Sequence, residues 1–377
     1  MQGFITQMPI VKFLDLYENY NAMKDEIDAS VQGVIDRTQF VNGPDVTSFE
    51  REFSDFIGTK HCIGVGNGTD ALEIGIASLD FPTGSEIITQ PNTFIATVLG
   101  ISYNNLTPVF VDIDPNTMMI DHTKIEASIT SKTKALCIVH LYGCSPNMDA
   151  IMEIVKKYDL ILIEDCAQSH GALYNGRRLG TFGKISCFSF YPGKNLGCFG
   201  DGGAICTSDD ILNSKMIRLR NLGSERKYYH DIIGRNSRLD TIQAAVLRVK
   251  LKNLDNNNEK RRIIANKYME ILKDVSGIIL PTVQEECTPV WHLFVIRVKD
   301  GNRENLQQFL KTKGVDTIIH YPIPAHKQKA YRDYNSEVYA ICEEVSSEIV
   351  SLPMYPELTL HAVSYVCQCI KEFVQSH

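Results

Sequence analysis

From residue 62 to residue 207 the chain alternates short apolar runs with segments of helical spacing. The runs are rich in Val, Ile, Leu and Cys along their whole length, which is typical of strands buried on both faces of a parallel sheet. Strands alternating with helices predict an α/β fold with a mainly parallel seven-stranded sheet covered by helices. The seven runs are residues 62–65, 86–89, 108–113, 135–140, 160–165, 185–190 and 203–207.

The rest of the chain predicts a second, smaller domain. After Arg238 helical spacing dominates, with two further strand-like runs at residues 292–298 and 317–321. A chain of 377 residues is long enough for one large domain and one small one. We therefore expect a large α/β domain over residues 1–250 and a small C-terminal α+β domain over residues 251–377. Residues 1–56 lack a nearby strand partner and are expected to pack against the small domain.

Charge and cysteine placement exclude several classes of partner. The net charge of −7 argues against a general surface for nucleic acid or anionic membrane. The chain has no run of 18 apolar residues and no signal peptide at its start. Cysteines such as Cys62 and Cys137 lie in apolar runs, and Cys367 and Cys369 have no second ligand pair. We expect a reduced, cytoplasmic protein without a metal site.

Lys194 lies in a turn rich in glycine directly after the apolar run that ends at Phe190. Exposed lysines usually occur among polar residues, whereas this one has no charged neighbour until Asp201. A desolvated ammonium group has its pKa lowered toward neutrality, which makes the amine a candidate nucleophile. The alternative is a lysine that simply ends a loop.

A second glycine-rich turn follows the first strand. Gly64, Gly66 and Gly68 precede Thr69, which we expect to cap a helix whose free N–H groups could bind an anion. The spacing lacks the third glycine of the dinucleotide fingerprint and suits a single phosphate better than a pyrophosphate. An ordinary turn between a strand and a helix is the alternative. Ser189, at the end of another strand, could reach the same phosphate.

Two carboxylates, Glu164 and Asp165, end an otherwise apolar strand at the edge where open α/β sheets bind ligands. A buried aspartate needs a cationic partner or strong donors. Asp165 therefore pairs either with an Arg or Lys of the protein or with a protonated nitrogen of a ligand. A lysine nucleophile, an aspartate at a strand end and a phosphate-binding helix start are together what pyridoxal 5′-phosphate requires.

The motifs that carry these residues resemble the DegT/DnrJ family of sugar aminotransferases, which have the aspartate-aminotransferase-like fold (fold type I of pyridoxal phosphate enzymes). The resemblance runs from about Phe13 to the end of the chain. The motifs are residues 66–72, 92–97, 108–112, 140–143, 164–168, 189–203, 236–240 and 320–322.

The resemblance implies a role for each matching residue. Lys194 forms a Schiff base with the cofactor, Asp165 contacts the pyridine nitrogen, Gln168 contacts the ring hydroxyl and Phe94 stacks on the ring. The phosphate-binding residues are Gly68, Thr69, Ser189 and Asn236 of the partner subunit. The resemblance therefore implies a homodimer with shared active sites.

Within the family the Lys194 motif, with Tyr191 and Asp201, is similar to the branch that aminates carbon 3 of nucleotide-linked sugars. This implies transfer of an amino group from L-glutamate to C3 of a dTDP-linked 3-oxo-6-deoxyhexose. The product, a dTDP-3-amino-3,6-dideoxyhexose, would serve glycan synthesis such as that of lipopolysaccharide O-antigen. Tyr191, His320 and Tyr321 are expected near the sugar, with strand-end packing as their alternative, and Lys227 near the pyrophosphate.

Three alternative functions share this fold. A C4 aminotransferase would act on a nucleotide-linked 4-oxo sugar and more often carries a histidine-containing run before the lysine. A pyridoxal-phosphate-dependent sugar dehydratase has histidine in place of the lysine, so Lys194 argues against it. A non-catalytic regulatory or binding protein would have lost Lys194, Asp165 or the phosphate site, and all three are present.

Overall fold

The structure, a computed structural model, describes residues 11–334 and 337–376. Each of the seven predicted apolar runs contributes a strand to one seven-stranded sheet, in the order β1-β9-β8-β5-β4-β2-β3. All neighbours pair in parallel except β9, which is antiparallel to both β1 and β8. The predicted α/β fold with a mainly parallel sheet is therefore confirmed. The strands are β1 (His61–Val65), β2 (Glu86–Thr89), β3 (Thr107–Phe110), β4 (Thr133–Val139), β5 (Ile161–Asp165), β6 (Leu173–Tyr174), β7 (Arg177–Arg178), β8 (Ile185–Ser189), β9 (Gly203–Thr207), β10 (Ile278–Ile279), β11 (Cys287–Thr288), β12 (Phe294–Val298) and β13 (Ile349–Leu352).

Helices cover both faces of the main sheet. Successive residues of each strand point to opposite sides, so they pack against different helices. Ile163 and Ile205 face a cluster that includes α4 and α8, whereas Phe188 and Cys206 face α3 and α9. Each strand thus buries both of its faces, which is why its sequence is apolar throughout. The helices are α1 (Leu16–Asn21), α2 (Lys24–Arg37), α3 (Pro44–Ile57), α4 (Gly68–Ala77), α5 (Ile95–Ser102), α6 (His122–Ile125), α7 (Met148–Lys157), α8 (Asp210–Arg220), α9 (Thr241–Leu251), α10 (Leu254–Leu272), α11 (Arg303–Thr312), α12 (Ala340–Glu348) and α13 (Leu360–Ser376).

The C-terminal part of the chain has a core of its own. Strands β10, β12 and β13 form an antiparallel sheet, and α10, α11 and α13 pack on it. Tyr268 and Phe294 stack at the centre of this core, with ring centroids 4.8 Å apart. The predicted run at residues 292–298 becomes β12, whereas residues 317–321 are not a strand: only Ile318 makes a bridge, to Ser351. The domain division at residue 250 stays a prediction.

The N-terminal helices α2 and α3 pack against α9. Residues of α3, such as Phe49 and Phe53, pack with α9 and with Phe188 and Phe190 of the large domain. Helix α2 packs against α9 through Ile27. Within the described part of residues 1–56, the small-domain core takes in only Val11 and Leu14. The expectation that residues 1–56 pack against the small domain stays a prediction, because an apolar helix face indicates burial but not which surface covers it.

None of the helices that the structure describes combines the length and apolar composition needed to cross a membrane.

Candidate active site

The turn that carries Lys194 is fixed at both ends by backbone hydrogen bonds. The N–H of Lys194 donates to the carbonyl of Tyr191 (2.8 Å), and the N–H of Cys198 donates to the carbonyl of Phe190 (2.8 Å). Lys250, a buried residue of α9, donates from Nζ to the carbonyl of Gly197 (2.8 Å). Burial lowers the pKa of Lys250 to about 8. The turn is therefore held by buried contacts rather than left as a free loop.

The amine of Lys194 makes no hydrogen bond or ion pair with any other described residue. Burial lowers its pKa to about 8, and the nearby Asp165 carboxylate offsets this effect only in part. A lysine with this pKa is neutral far more often at physiological pH than an exposed lysine. Of the two alternatives for Lys194, the structure favours an amine available for chemistry over a loop terminator.

Asp165 ends β5 and is 5% exposed. Its carboxylate accepts hydrogen bonds from Thr97 Oγ1 (2.7 Å) and from the N–H of Ala167 (3.1 Å). Burial raises the pKa of Asp165, while these two donors and the charges of Lys194 and His140 lower it. No described Arg or Lys lies within ion-pair distance of the carboxylate. Of the two predicted partners for this aspartate, the protein cation is thus missing, and a protonated ligand nitrogen would complete the site.

The neighbouring carboxylate, that of Glu164, is bonded to groups of the protein itself. The Glu164 carboxylate accepts hydrogen bonds from the N–H groups of Gly180 (2.7 Å) and Gly183 (2.6 Å) and lies 2.9 Å from His140 Nε2. Glu164, His140 and Cys166 together form a buried cluster of side chains of the types that can bind a metal ion. Both carboxylate oxygens already accept backbone hydrogen bonds, so this group holds the β5 strand end in place.

The predicted phosphate site lies where α4 begins. Asn67 caps this helix, since its side chain accepts the N–H of Asp70 (2.8 Å). The expectation that Thr69 is the cap was wrong: Gly68 and Thr69 occupy the first turn, where backbone N–H groups have no partner within the helix. A Cβ atom on Gly68 would lie 2.6 Å from Cβ of Ser189. The structure therefore brings Gly68, Thr69 and Ser189 together across the ends of β1 and β8.

Gln168, Tyr321 and Phe94 form a second connected group. Gln168 accepts the N–H of Tyr142 at Oε1 (2.6 Å) and donates from Nε2 to the hydroxyl of Tyr321 (3.1 Å). The ring of Tyr321 lies 5.6 Å from that of Phe94, centroid to centroid. Phe94 is 53% exposed, which is unusual for phenylalanine and leaves a ring face open to a ligand.

His320 lies on the small-domain side of the site. Its Nδ1 is 2.9 Å from Ser351 Oγ, and its ring stacks on Phe13 with centroids 5.7 Å apart. Burial and the charge of Lys194 lower the pKa of His320 to about 4. The imidazole is therefore neutral at physiological pH. Strand-end packing, the alternative for Tyr321 and His320, does not describe residues 317–321, which are not a strand.

The side chains of three predicted site residues form no hydrogen bond with the other site residues in the described part of a single chain. Tyr191 is 60% exposed at the lysine turn. Lys227 lies with Nζ 5.0 Å from the centroid of the Tyr228 ring. Asn236 is exposed and makes a backbone bridge with Asn221. Lys227 and Asn236 both belong to the segment between α8 and α9, which is the segment expected to reach a partner subunit.

Sequence reasoning missed several residues that support the site. Thr97 was part of a quoted motif but had no role, because nothing in a sequence relates it to Asp165, 68 positions away. His170 is fully buried, and neither ring nitrogen has a hydrogen-bond partner in the described chain. Burial and the charge of Lys194 lower its pKa to about 3. Its position two residues after Gln168 is the signal that could have drawn attention to it.

These residues fit pyridoxal phosphate. The fit rests on a buried carboxylate without a cationic partner, an unpaired lysine amine, and helix N–H groups beside a glycine whose missing Cβ leaves room next to Ser189. Fold and site together define a lysine-based enzyme of the pyridoxal phosphate type.

The chain belongs to the DegT/DnrJ/EryC1/StrS aminotransferase family, whose model matches residues 21–371. It is an aminotransferase that uses pyridoxal phosphate. It is 48% identical over 364 residues to dTDP-3-amino-3,6-dideoxy-alpha-D-galactopyranose transaminase of Aneurinibacillus thermoaerophilus, covering 97% of this chain and 99% of the relative.

Two further similarities point the same way. The dTDP-3-amino-3,4,6-trideoxy-alpha-D-glucose transaminase of Streptomyces venezuelae is 40% identical over 371 residues, covering 98% of this chain and 97% of the relative. The crystal structure of DesV from S. venezuelae in complex with a ketimine intermediate superposes with a TM-score of 0.94. That structure is 40% identical and covers 97% of this chain and 99% of its own.

Proposed function

We propose that the protein transfers an amino group from L-glutamate to C3 of a dTDP-linked 3-oxo-6-deoxyhexose and so forms a dTDP-3-amino-3,6-dideoxyhexose. The observation that carries the proposal is the half-buried Lys194 amine, whose pKa is lowered, near the buried Asp165 carboxylate in a chain 48% identical to a transaminase of that sugar class. L-Glutamate is proposed as donor from the resemblance stated above.

Lys194 is proposed as the covalent attachment point and the general acid/base. Pyridoxal phosphate, when bound, supplies an aldehyde that exchanges the amino group and a ring that withdraws electrons from the reacting carbon. The Nζ of Lys194, with a pKa near 8, can take a proton from the substrate carbon and deliver it elsewhere without a large penalty either way. Asp165 would hold the proton on the ring nitrogen, since no described Arg or Lys pairs with its carboxylate.

The remaining side chains orient the ligands. Gly68, Thr69 and Ser189 bind the phosphate, to which the helix dipole of α4 contributes. Gln168, which bonds Tyr321, would hold the ring hydroxyl, and the exposed Phe94 would cover the ring. On the sugar side we place Tyr191, His320 and Tyr321, and we place Lys227 near the pyrophosphate. The neutral His320 can accept or donate a hydrogen bond to a sugar hydroxyl.

The active enzyme is proposed to be a homodimer in which Asn236 of the partner subunit completes the phosphate site. The support is that Asn236 is exposed and that its side chain makes no hydrogen bond with the described part of its own chain. We place the enzyme in the cytoplasm, in a pathway that supplies amino sugars for a glycan such as lipopolysaccharide O-antigen. Its eleven cysteines are free and buried, as in a reducing compartment.

Incubation with L-glutamate and a panel of dTDP- and UDP-linked 3-oxo and 4-oxo sugars tests the proposal. Mass spectrometry and NMR of the products identify the aminated carbon and the nucleotide. We expect a C3 amine on the dTDP-linked 6-deoxyhexose, with 2-oxoglutarate formed in equal amount. An amine at C4 would replace this proposal with the C4 reaction, and loss of the hydroxyl without amination would indicate a dehydratase.

A further inference from the structure

The residue after Lys194 belongs to a buried hydrogen-bond network. Asn195 donates from Nδ2 to Oδ1 of Asn258 (2.9 Å) and to the carbonyl of Val290 (2.9 Å). Its Oδ1 accepts a hydrogen bond from Nδ1 of His292 (3.1 Å). Both polar atoms of the Asn195 side chain are therefore used, and the backbone next to Lys194 is held by contacts that come from outside its turn.

Asn258 connects this network to the segment that follows Asp165. It lies on α10 with 1% of its surface exposed. Its Oδ1 accepts from Asn195, and its Nδ2 donates to the carbonyl of His170 (2.9 Å). One buried side chain thus bonds the lysine turn on one side and the continuation of the Asp165 strand end on the other.

Packing alone does not explain an asparagine at this position. A buried amide loses its hydration and must recover it through hydrogen bonds, whereas leucine, of similar volume, has no polar group to satisfy. Of the two asparagines that precede Asn258, Asn256 is exposed and Asn257 is half-buried. The buried asparagine is the one that contacts the site.

Helix α10, which contains Asn258, also contributes to the core of the small domain. Beyond Asn258, the residues Ile264 and Tyr268 of α10 enter the small-domain core. One turn after Asn258, Arg261 donates from Nη1 to the carbonyls of Trp291 (3.2 Å), His292 (3.4 Å) and Met354 (3.0 Å). The network therefore joins the lysine turn, the aspartate segment and the small domain at one point.

We propose that Asn258 is a positioning residue that, through Asn195, fixes the amine of Lys194 relative to Asp165 and ties that distance to the small domain. The inference rests on the proposed role of Lys194 as the lysine that holds the cofactor. Among the described residues the Nζ atom has no hydrogen-bond or ion-pair partner that would place it, so its location follows from where the backbone of its turn is held. A displacement of about 1 Å at a reacting group costs on the order of 10²-fold in rate.

The test compares Asn258→Leu with Asn256→Leu, a control on the exposed face of the same helix. Each purified protein is loaded with pyridoxal phosphate, and the visible absorption of the bound cofactor is titrated with pH. Rapid mixing with L-glutamate then gives the rate and the half-saturating concentration of the first half-reaction.

For Asn258→Leu we expect a shifted absorbance midpoint and a half-reaction at least about tenfold slower, with half-saturation by glutamate within about twofold. Asn256→Leu should match the wild type in both readouts. A residue with only a structural role would lower the melting temperature and leave the midpoint and the rate of the folded enzyme unchanged. That result for Asn258→Leu would overturn the proposal.

Asn195→Ala removes the hydrogen bond between Asn195 and Asn258 from the other side. This variant replaces Asn258→Leu in the test if Asn258→Leu does not fold. If both residues act through their shared hydrogen bond, the double variant should be no slower than the slower single variant. Additive losses would contradict the inference. A wild type that shows no Schiff-base absorbance, or a Lys194→Ala variant that keeps it, would instead refute the role of Lys194 itself.

Discussion

At the level of single residues, the protonation of Lys194 is the property on which the chemistry depends. The histidines around the site do not share its titration range. Burial and the charge of Lys194 lower the pKa of His170 to about 3 and that of His320 to about 4, and burial also lowers the pKa of His292. His170 and His320 are neutral above pH 6, so the pH response of cofactor uptake from there to about pH 9 should come from Lys194 and from Lys250, which bonds the same turn and whose pKa burial also lowers to about 8.

The first prediction concerns that response. An amine attacks an aldehyde only in its neutral form, so the rate at which the apoenzyme takes up pyridoxal phosphate should rise with pH and level off above about 8. An exposed lysine would give a rate that still rises near pH 10. Stopped-flow absorbance at a series of pH values measures the midpoint, and Lys194→Ala, which should show no visible band and no turnover, is the control. A midpoint above 10 would contradict the buried environment.

The second prediction concerns Asp165 and its donor Thr97. Asp165→Asn removes the negative charge that keeps the ring nitrogen protonated, so activity should fall by at least about 10²-fold while the cofactor still binds. Thr97→Val removes one hydrogen bond to the carboxylate at nearly constant volume. A hydrogen bond to a charged group contributes about 1.5–3 kcal/mol, so turnover of Thr97→Val should fall by about tenfold or more.

Thr93→Val is the graded comparison for Thr97→Val, because Thr93 bonds Thr97 (2.7 Å) rather than Asp165. Its effect on steady-state turnover should be smaller. Turnover of Asp165→Asn close to that of the wild type would remove the assigned role of Asp165.

At the level of elements, the site depends on how closely α4 approaches β8. The contact between Gly68 and Ser189 leaves no space for a methyl group, since a Cβ at Gly68 would lie 2.6 Å from that of Ser189. The absence of a side chain at Gly68 therefore allows the first turn of α4 and the end of β8 to come close enough to bind one phosphate.

The third prediction follows from this contact. Gly68→Ala should push the start of α4 away from β8 at a cost of about 1–3 kcal/mol. If this cost falls on the bound state, affinity for pyridoxal phosphate should fall by about fivefold to about 10²-fold, because each 1.4 kcal/mol is a factor of ten. Equilibrium titration followed by absorbance, together with thermal unfolding, measures the two effects.

Gly33→Ala provides the matched control. Gly33 lies inside α2, and a Cβ there would meet only the flexible end of Arg37, at 3.2 Å. Replacing glycine by alanine within a helix should stabilise the protein by about 1 kcal/mol and leave cofactor affinity unchanged. Unchanged affinity in Gly68→Ala as well would show that the phosphate lies elsewhere.

At the level of the whole molecule, the proposed shared site makes a prediction about mixed dimers. Lys194→Ala and Asn236→Asp subunits are each impaired alone. In a heterodimer of the two, one site contains an intact Lys194 and an intact Asn236, whereas the other contains both substitutions. Random mixing should therefore restore about a quarter of the wild-type activity.

Turnover after denaturation and co-refolding of the two variants, compared with the separately refolded samples, measures this recovery. Activity no greater than the mean of the two separate samples would contradict a site shared between subunits.

The sequence by itself determined the main sheet, and it selected the residues that we propose for the core of the site. Burial on both faces makes a strand apolar throughout, so the seven runs were visible without any knowledge of their order. Lys194, Asp165 and Gly68 could be selected because each stands out locally, as a lone charge or a glycine at a strand end.

Only the tertiary structure decided which distant segments meet. The contacts Thr97–Asp165, Asn195–Asn258 and Asn258–His170 span 68, 63 and 88 positions along the chain. The packing of α2 and α3 on α9 was equally invisible, because an amphipathic helix records that one face is buried and not what covers it. Hydrogen bonding and helix packing act through space, and a sequence records only which groups are available to take part.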